Sequence, residues 1–238
     1  MKKGLTLAET LVTLGILGVI ATITMPTINT SSWKGQREAL LKSAYARVKN
    51  AMDMAIQDLG YTPKCTSSSI SSDSECQALG QAMTNNLRIV RKCNGTDDNC
   101  KREYRGVDDA YKSDMKHYMP NATDEKLNQD AETHTKDFKG FRTNSLENNY
   151  AFHTANNFTL INYHTSDFFH PGIFTIDTNG NKGPNKWGHD LFPFEIEYAR
   201  NGKNLELKTF SHNMIDVYLR ESHNGLSGVT ATEILQNR

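Results

Sequence analysis

Residues 1–26 read Met1-Lys2-Lys3-Gly4, then LTLAETLVTLGILGVIATITM from Leu5 to Met25, then Pro26. Residues 5–25 carry one ionisable group, Glu9. At about 1.5 Å per residue, a helix of that length spans roughly 30 Å, the thickness of a bilayer core. Lys2 and Lys3 precede the run, and flanking positive charge favours keeping that end in the cytoplasm while the rest crosses. A carboxylate at the bilayer centre costs about 2.5–3.5 kcal/mol, and less near the edge, where Glu9 lies. Glu in a first helical turn also suits the helix dipole. A plain secretory signal has a purely apolar middle and a small-x-small exit. This run has a carboxylate near its start and no Ala-x-Ala before Pro26.

The segment Gly4-Leu5-Thr6-Leu7-Ala8-Glu9 and the apolar run after it resemble the processing motif of type IV pilins and type II secretion pseudopilins. The family more often has Phe where this chain has Leu5. The resemblance implies cleavage by prepilin peptidase between Gly4 and Leu5 and methylation of the new amine on Leu5. It implies other pilin or pseudopilin subunits, an inner-membrane assembly platform and membrane lipid as partners. It also implies a bacterial inner-membrane protein, single-pass with its N-terminus cytoplasmic, that later joins a filament in the periplasm or at the cell surface. In such a filament the new cationic amine would be buried among neighbouring helices, and a buried charge needs a partner. Glu9 of an adjacent subunit is expected to supply it. Small residues such as Gly15 and Gly18 permit close helix packing, and Pro26 is expected to kink or interrupt the helix.

Beyond the apolar run, Leu41, Ala44, Tyr45, Val48, Met52, Ala55, Ile56 and Leu59 recur at three- and four-residue steps. This is one apolar stripe on a helix over 36–59, with Gly60 as its stop. The expected organisation is a leader at 1–4, a transmembrane and filament-core helix at 5–26 and an amphipathic spine helix at 27–60. A disulfide-bearing loop and insertion region follows at 61–148, then a C-terminal sheet at 149–238 with a loop at 177–193 and a tail. Cys65, Cys76, Cys93 and Cys100 all fall in one polar stretch. Local, even-numbered cysteines in an exported chain favour disulfides, and their spacing is wider than the C-x₂₋₄-C pairs of zinc sites. Three pairings are open; Cys65–Cys76 with Cys93–Cys100 is the simplest, because each closes a short loop. Residues 78–92 read as a short helix, and 107–148 as a polar surface insertion with one or two weak helices.

Strand patterns follow at 150–153, 157–163, 172–177, 194–199 and 204–210, rich in β-branched and aromatic residues. A turn is expected at Ala155-Asn156, and Asn201-Gly202 is a hairpin signal. A long helix followed by antiparallel strands makes an α+β fold, and the resemblance implies a pilin-like packing of that helix on the sheet. After Ser211 a short helix near 212–221 and then a frayed tail are expected.

Residues 177–190 read DTNGNKGPNKWGHD. Asp177, Asn179, Asn181 and Asn185 occupy the first, third, fifth and ninth places, an oxygen-ligand spacing used in calcium loops. The sixth and twelfth places hold Lys182 and Gly188, and Asp190 comes two residues late. The rival reading is a rigid turn in which Asn side chains and Asn-Gly and Gly-Pro steps satisfy the backbone. The resemblance adds that major pseudopilins carry calcium in a C-terminal loop. Trp187 and Phe192 are expected to anchor the loop in the core.

The chain has 27 basic and 27 acidic side chains, so no basic excess points to nucleic acid. Eight histidines show no H-E-x-x-H pairing, although His153 and His164 are candidates to meet across a hairpin. No G-x-S-x-G, Walker or Rossmann motif occurs. The expected function is a non-enzymatic filament subunit of a type IV pilus or type II secretion pseudopilus. The alternative is a membrane-tethered extracytoplasmic module that binds calcium or a glycan and does not polymerise.

Overall fold

Residues 35–59 form a helix, α1, in the computed structural model. Gly60 ends it with a φ of 71°, donating its amide to the carbonyl of Ile56 at 3.1 Å. A left-handed residue at that place satisfies a terminal carbonyl without a Cβ penalty. The structure describes residues 35–67, 73–95, 102–180, 182–210 and 230–236. The chain divides into two units, Met1–Ala39 and Leu40–Arg238. Gly4, Leu5, Glu9 and Pro26 lie outside the described residues. The second unit is α+β.

Its sheet has six antiparallel strands in sequential order: β1 (Ile89–Cys93), β2 (Ala151–Thr154), β3 (Thr159–Asn162), β4 (Ile173–Asp177), β5 (Leu191–Tyr198) and β6 (Leu205–Thr209). Side chains in a strand alternate between faces, and here both faces are apolar. Phe152, Leu160, Phe174, Ile176, Phe194, Ile196 and Leu207 point to one side. There they meet Leu41, Ala44, Val48, Met52 and Ala55 of α1, and Leu79 and Met83 of helix α2 (Asp73–Leu87). Tyr45, Ile56 and Leu59 pack against the same core, so the whole predicted stripe is used. The Tyr45 hydroxyl also donates to the Leu207 carbonyl at 3.1 Å.

Ala151, Ile161, Ile173 and Leu191 point to the other side. They pack with Tyr104, Val107, Phe138, Phe141, Leu146 and Trp187. This corrects the expectation for 107–148. The segment folds as α3 (Val107–Tyr118), α4 (Asp124–His134), a 3₁₀ helix (Lys136–Phe141) and α5 (Thr143–Asn148), and it covers the second face of the sheet. Phe141 is its keystone, fully buried and in edge-to-face contact with both Trp187 and Tyr163. Such pairs add about 0.5–1.5 kcal/mol beyond the area they bury.

Two further expectations are corrected. The helix read at 78–92 is α2, which ends at Leu87; Arg88 takes a φ of 51° and Ile89 opens β1. The frayed tail contains α6 (Ala231–Gln236), whose Ala231 and Ile234 join the first core. Its start is a capping box: the Glu233 amide donates to Thr230 Oγ1 at 3.2 Å, and the Thr230 amide to Glu233 Oε2 at 2.9 Å. The helix expected near 212–221 lies outside the described residues.

Candidate functional site

The loop after β4 begins at Asp177 and returns at Leu191, and these two residues are cross-strand partners. Three of its residues have positive φ: Gly180 at 67°, Asn185 at 52° and Gly188 at 70°. Such backbone suits Gly and Asn, which explains the composition of the stretch. Asp190 is its hub. Its Oδ2 accepts from the Asn185 amide at 2.8 Å and from Asn179 Nδ2 at 3.3 Å, and its Oδ1 accepts from the Lys186 amide at 2.8 Å. Asp177 Oδ1 accepts from the Asn179 amide at 3.1 Å, and its Oδ2 from the Tyr104 hydroxyl at 2.8 Å.

The loop is tied to the chain leading into the insertion. The Arg105 amide donates to the Asn185 carbonyl at 3.1 Å, and Asn185 Nδ2 donates to the Glu103 carbonyl at 2.8 Å. Trp187 and Phe192 are both buried, as expected of anchors. Trp187 lies in the second core and Phe192 in the first.

Burial sets the electrostatics. Desolvation, then the neighbouring charge of Asp190, pushes the Asp177 carboxyl well above its usual range. Desolvation also raises Asp190, against the hydrogen bonds from the amides of Asn185 and Lys186. The Tyr104 phenol is pushed well up by burial and then by Asp177. Both carboxyls are therefore held up by burial, and the charge of Asp190 further disfavours that of Asp177. Asn179 Oδ1 and Asn185 Oδ1 are buried acceptors that find no hydrogen-bond donor among the described residues.

Asp177, Asn179, Asn185 and Asp190 are thus gathered in one loop, while Asn181 lies outside the described residues. Amide and carboxylate oxygens are the ligand atoms a hard cation takes. The loop also supports itself by its own hydrogen bonds. Among the described residues, no three His, Cys, Asp or Glu side chains converge as a metal-holding group.

Cys65 and Cys76 form a disulfide between the end of the α1 turn and helix α2. Cys93 is disulfide-bonded too; Cys100 lies outside the described residues. The expected His153–His164 meeting across a hairpin is corrected. His153 stands opposite Thr159 in the register, its Nδ1 is 2.8 Å from Thr159 Oγ1 and its Nε2 is 3.3 Å from Cys93 Sγ. His164 instead lies edge-on to Tyr163 and His170. Burial, then Arg102, holds the His153 pKa below its ordinary value.

Sequence reasoning missed Tyr104 and Arg102. Arg102 is almost fully buried, and its Nη2 donates to the carbonyls of Glu147 and Asn149 at 3.1 and 2.8 Å. No local pattern marks either residue, because their partners lie far along the chain. No helix among the described residues is long and apolar enough to cross a membrane. The chain matches no family model, no curated protein and no solved structure.

Proposed function

We propose that this chain is a prepilin-like filament subunit, cut after Gly4 by prepilin peptidase and assembled into a type IV pilus or type II secretion pseudopilus. The observation that carries the reading is Glu9, the one ionisable group of residues 5–25, placed five residues past Gly4 behind a dibasic leader. The amphipathic helix packed on an antiparallel sheet supports it. So does the Cys65–Cys76 disulfide, which belongs to oxidising compartments. In this reading the protein is held in the bacterial inner membrane before assembly, and its work is structural rather than enzymatic.

The test is intact mass and N-terminal sequencing of the protein from its native membrane. Loss of Met1–Gly4 with one methyl group on Leu5 is the expected result. In the same cells Glu9→Ala is expected to be cleaved normally and left out of filaments. A chain that keeps Met1, or one that starts beyond residue 25, sinks the reading.

A second reading concerns the 177–190 loop: it takes a calcium ion through Asp177, Asn179, Asn185 and Asp190. The two buried amide oxygens without donors favour it. Calcium titration followed by calorimetry tests it, and absence of heat at millimolar calcium overturns it.

A further inference from the structure

Cys93 ends strand β1 and is 4% exposed, yet it belongs to neither apolar core. It is disulfide-bonded. The Cys65–Cys76 bond is the opposite case, since both of its residues are fully buried members of the first core. One disulfide of the chain is thus sealed among apolar side chains, and another is set among polar groups.

The polar group against Cys93 is His153. Its Nε2 lies 3.3 Å from Cys93 Sγ, and its Nδ1 lies 2.8 Å from Thr159 Oγ1. A disulfide sulfur has no proton to donate, so this contact puts the ring proton on Nε2. Burial, then the charges of Arg102 and Arg91, hold the ring pKa below its ordinary value. The neutral ring has no second proton, and Nδ1 accepts from the Thr159 hydroxyl. Thr159 is itself buried in β3, and it fixes the tautomer that points an N–H at the sulfur. Arg91 stands opposite His153 in the strand register. The buried Arg102 gives its Nη2 to two carbonyls, while its Nε and Nη1 find no hydrogen-bond partner among the described residues. Tyr104, Asp177 and Glu147 face Arg102, and burial holds the Asp177 carboxyl toward its neutral form. A thiolate at Cys93 would therefore meet an N–H donor and a positive field, surroundings that lower a thiol's pKa. A disulfide whose reduced form is stabilised in this way is the easier one to reduce.

We infer that the disulfide of Cys93 is a redox-exchangeable site for a dithiol, in a chain whose Cys65–Cys76 bond is fixed structure. A thiolate of the dithiol attacks the sulfur bonded to Cys93, because Cys93 Sγ is itself buried. The S–S bond breaks, and its electron pair passes to Cys93 Sγ, which stays a thiolate beneath the His153 Nε2–H. The second thiol of the dithiol loses its proton and attacks the mixed disulfide. The cysteine that was paired with Cys93 leaves and takes up a proton. The dithiol ends as a disulfide, oxidised by two electrons, and the two cysteines are reduced by two. This site does not depend on the filament reading.

In the test, the full-length chain is equilibrated with graded ratios of reduced to oxidised dithiothreitol. It is quenched in acid, unfolded and alkylated, and its cysteine peptides are weighed. Cys93 is expected to become reduced at a ratio at least about tenfold lower than Cys65 and Cys76. With Cys65–Cys76 still oxidised, thiolate absorbance against pH should show one thiol titrating at least about one unit below the ordinary value of about 8.5. His153→Phe keeps an aromatic ring and removes the N–H. It is expected to need about tenfold more reductant at Cys93 and to raise that thiol's pKa, with the Cys65–Cys76 transition unmoved. His153→Gln, which restores an N–H donor, should recover part of the effect. The first two measurements need no variant, so they decide the matter even where His153→Phe fails to fold. Reduction of Cys65 and Cys76 at the same ratio as Cys93, thiols that titrate only at or above the ordinary value, or a folded His153→Phe chain indistinguishable from the parent each overturns the inference.

Discussion

Asp177 stands where strand, loop and insertion meet. It is fully buried, accepts a hydrogen bond from the Tyr104 hydroxyl at 2.8 Å, and has its carboxyl pushed well up by burial and by Asp190. A carboxyl whose folded pKa exceeds its unfolded one binds its proton more tightly when folded. Its contribution to stability is therefore full in acid, below the unfolded value, and is lost as pH rises through the raised folded value. Asp177→Asn removes that titration and keeps an acceptor for the Asn179 amide. We expect the melting temperature of Asp177→Asn to gain on that of the parent as pH rises from acid to neutral, measured with a chelator present. A difference that stays flat across that range would show that Asp177 is not the titrating group. Asp190 shares the upward shift, so it should leave a smaller residual slope of the same sign in the variant.

At the scale of elements, α2 shows how a helix is placed by one residue. A Cβ on Gly80 would overlap the carbonyl of Phe169, so the helix approaches the loop before β4 closely only because that position is bare. Gly80→Ala raises intrinsic helix propensity, yet the overlap should dominate. We expect a net loss of about 1–3 kcal/mol in urea unfolding, the usual scale of overpacking. A loss below about 0.5 kcal/mol would mean that the loop yields freely. Helix α1 was legible because its stripe, Leu41 to Leu59, repeats at helical steps and ends in Gly60. The last hairpin was legible because Asn201-Gly202 sits in it: Gly202 has a φ of 66°, and Asn201 Oδ1 accepts from the amides of Lys203 and Asn204 at 3.0 and 3.2 Å. Strand β1 was not legible, since a five-residue basic stretch carries little alternation. Arg88, with its positive φ, changes helix into strand without a Gly or Pro to mark it.

At the scale of the whole molecule, the loop that carries Asp177 and Asp190 joins the sheet to the insertion, so a ligand there would stabilise both. A cation that binds only the folded state adds about 2.7 kcal/mol when present at a hundred times its dissociation constant. For a chain of this size that corresponds to a rise of about 5–10 °C in melting temperature. We expect such a rise with saturating calcium, and its loss in Asn185→Ala. An unchanged melting temperature would assign the loop to structure alone.

The sequence by itself determined what is local. Periodicity located helix α1, turn chemistry located the last hairpin, and short spacing favoured the Cys65–Cys76 pair. Residues 4–9, whose resemblance to a prepilin motif carries the proposed function, lie outside the described residues. Tertiary structure decided what depends on distant partners. Leu160 and Ile161 are neighbours in β3 yet belong to two different cores. Only the arrival of Phe138, Phe141 and Leu146 turned the second sheet face from a surface into an interior. Tyr104 joined Asp177 across 73 residues of chain. No local pattern records such a meeting, because burial and hydrogen-bond pairing are properties of the packed whole.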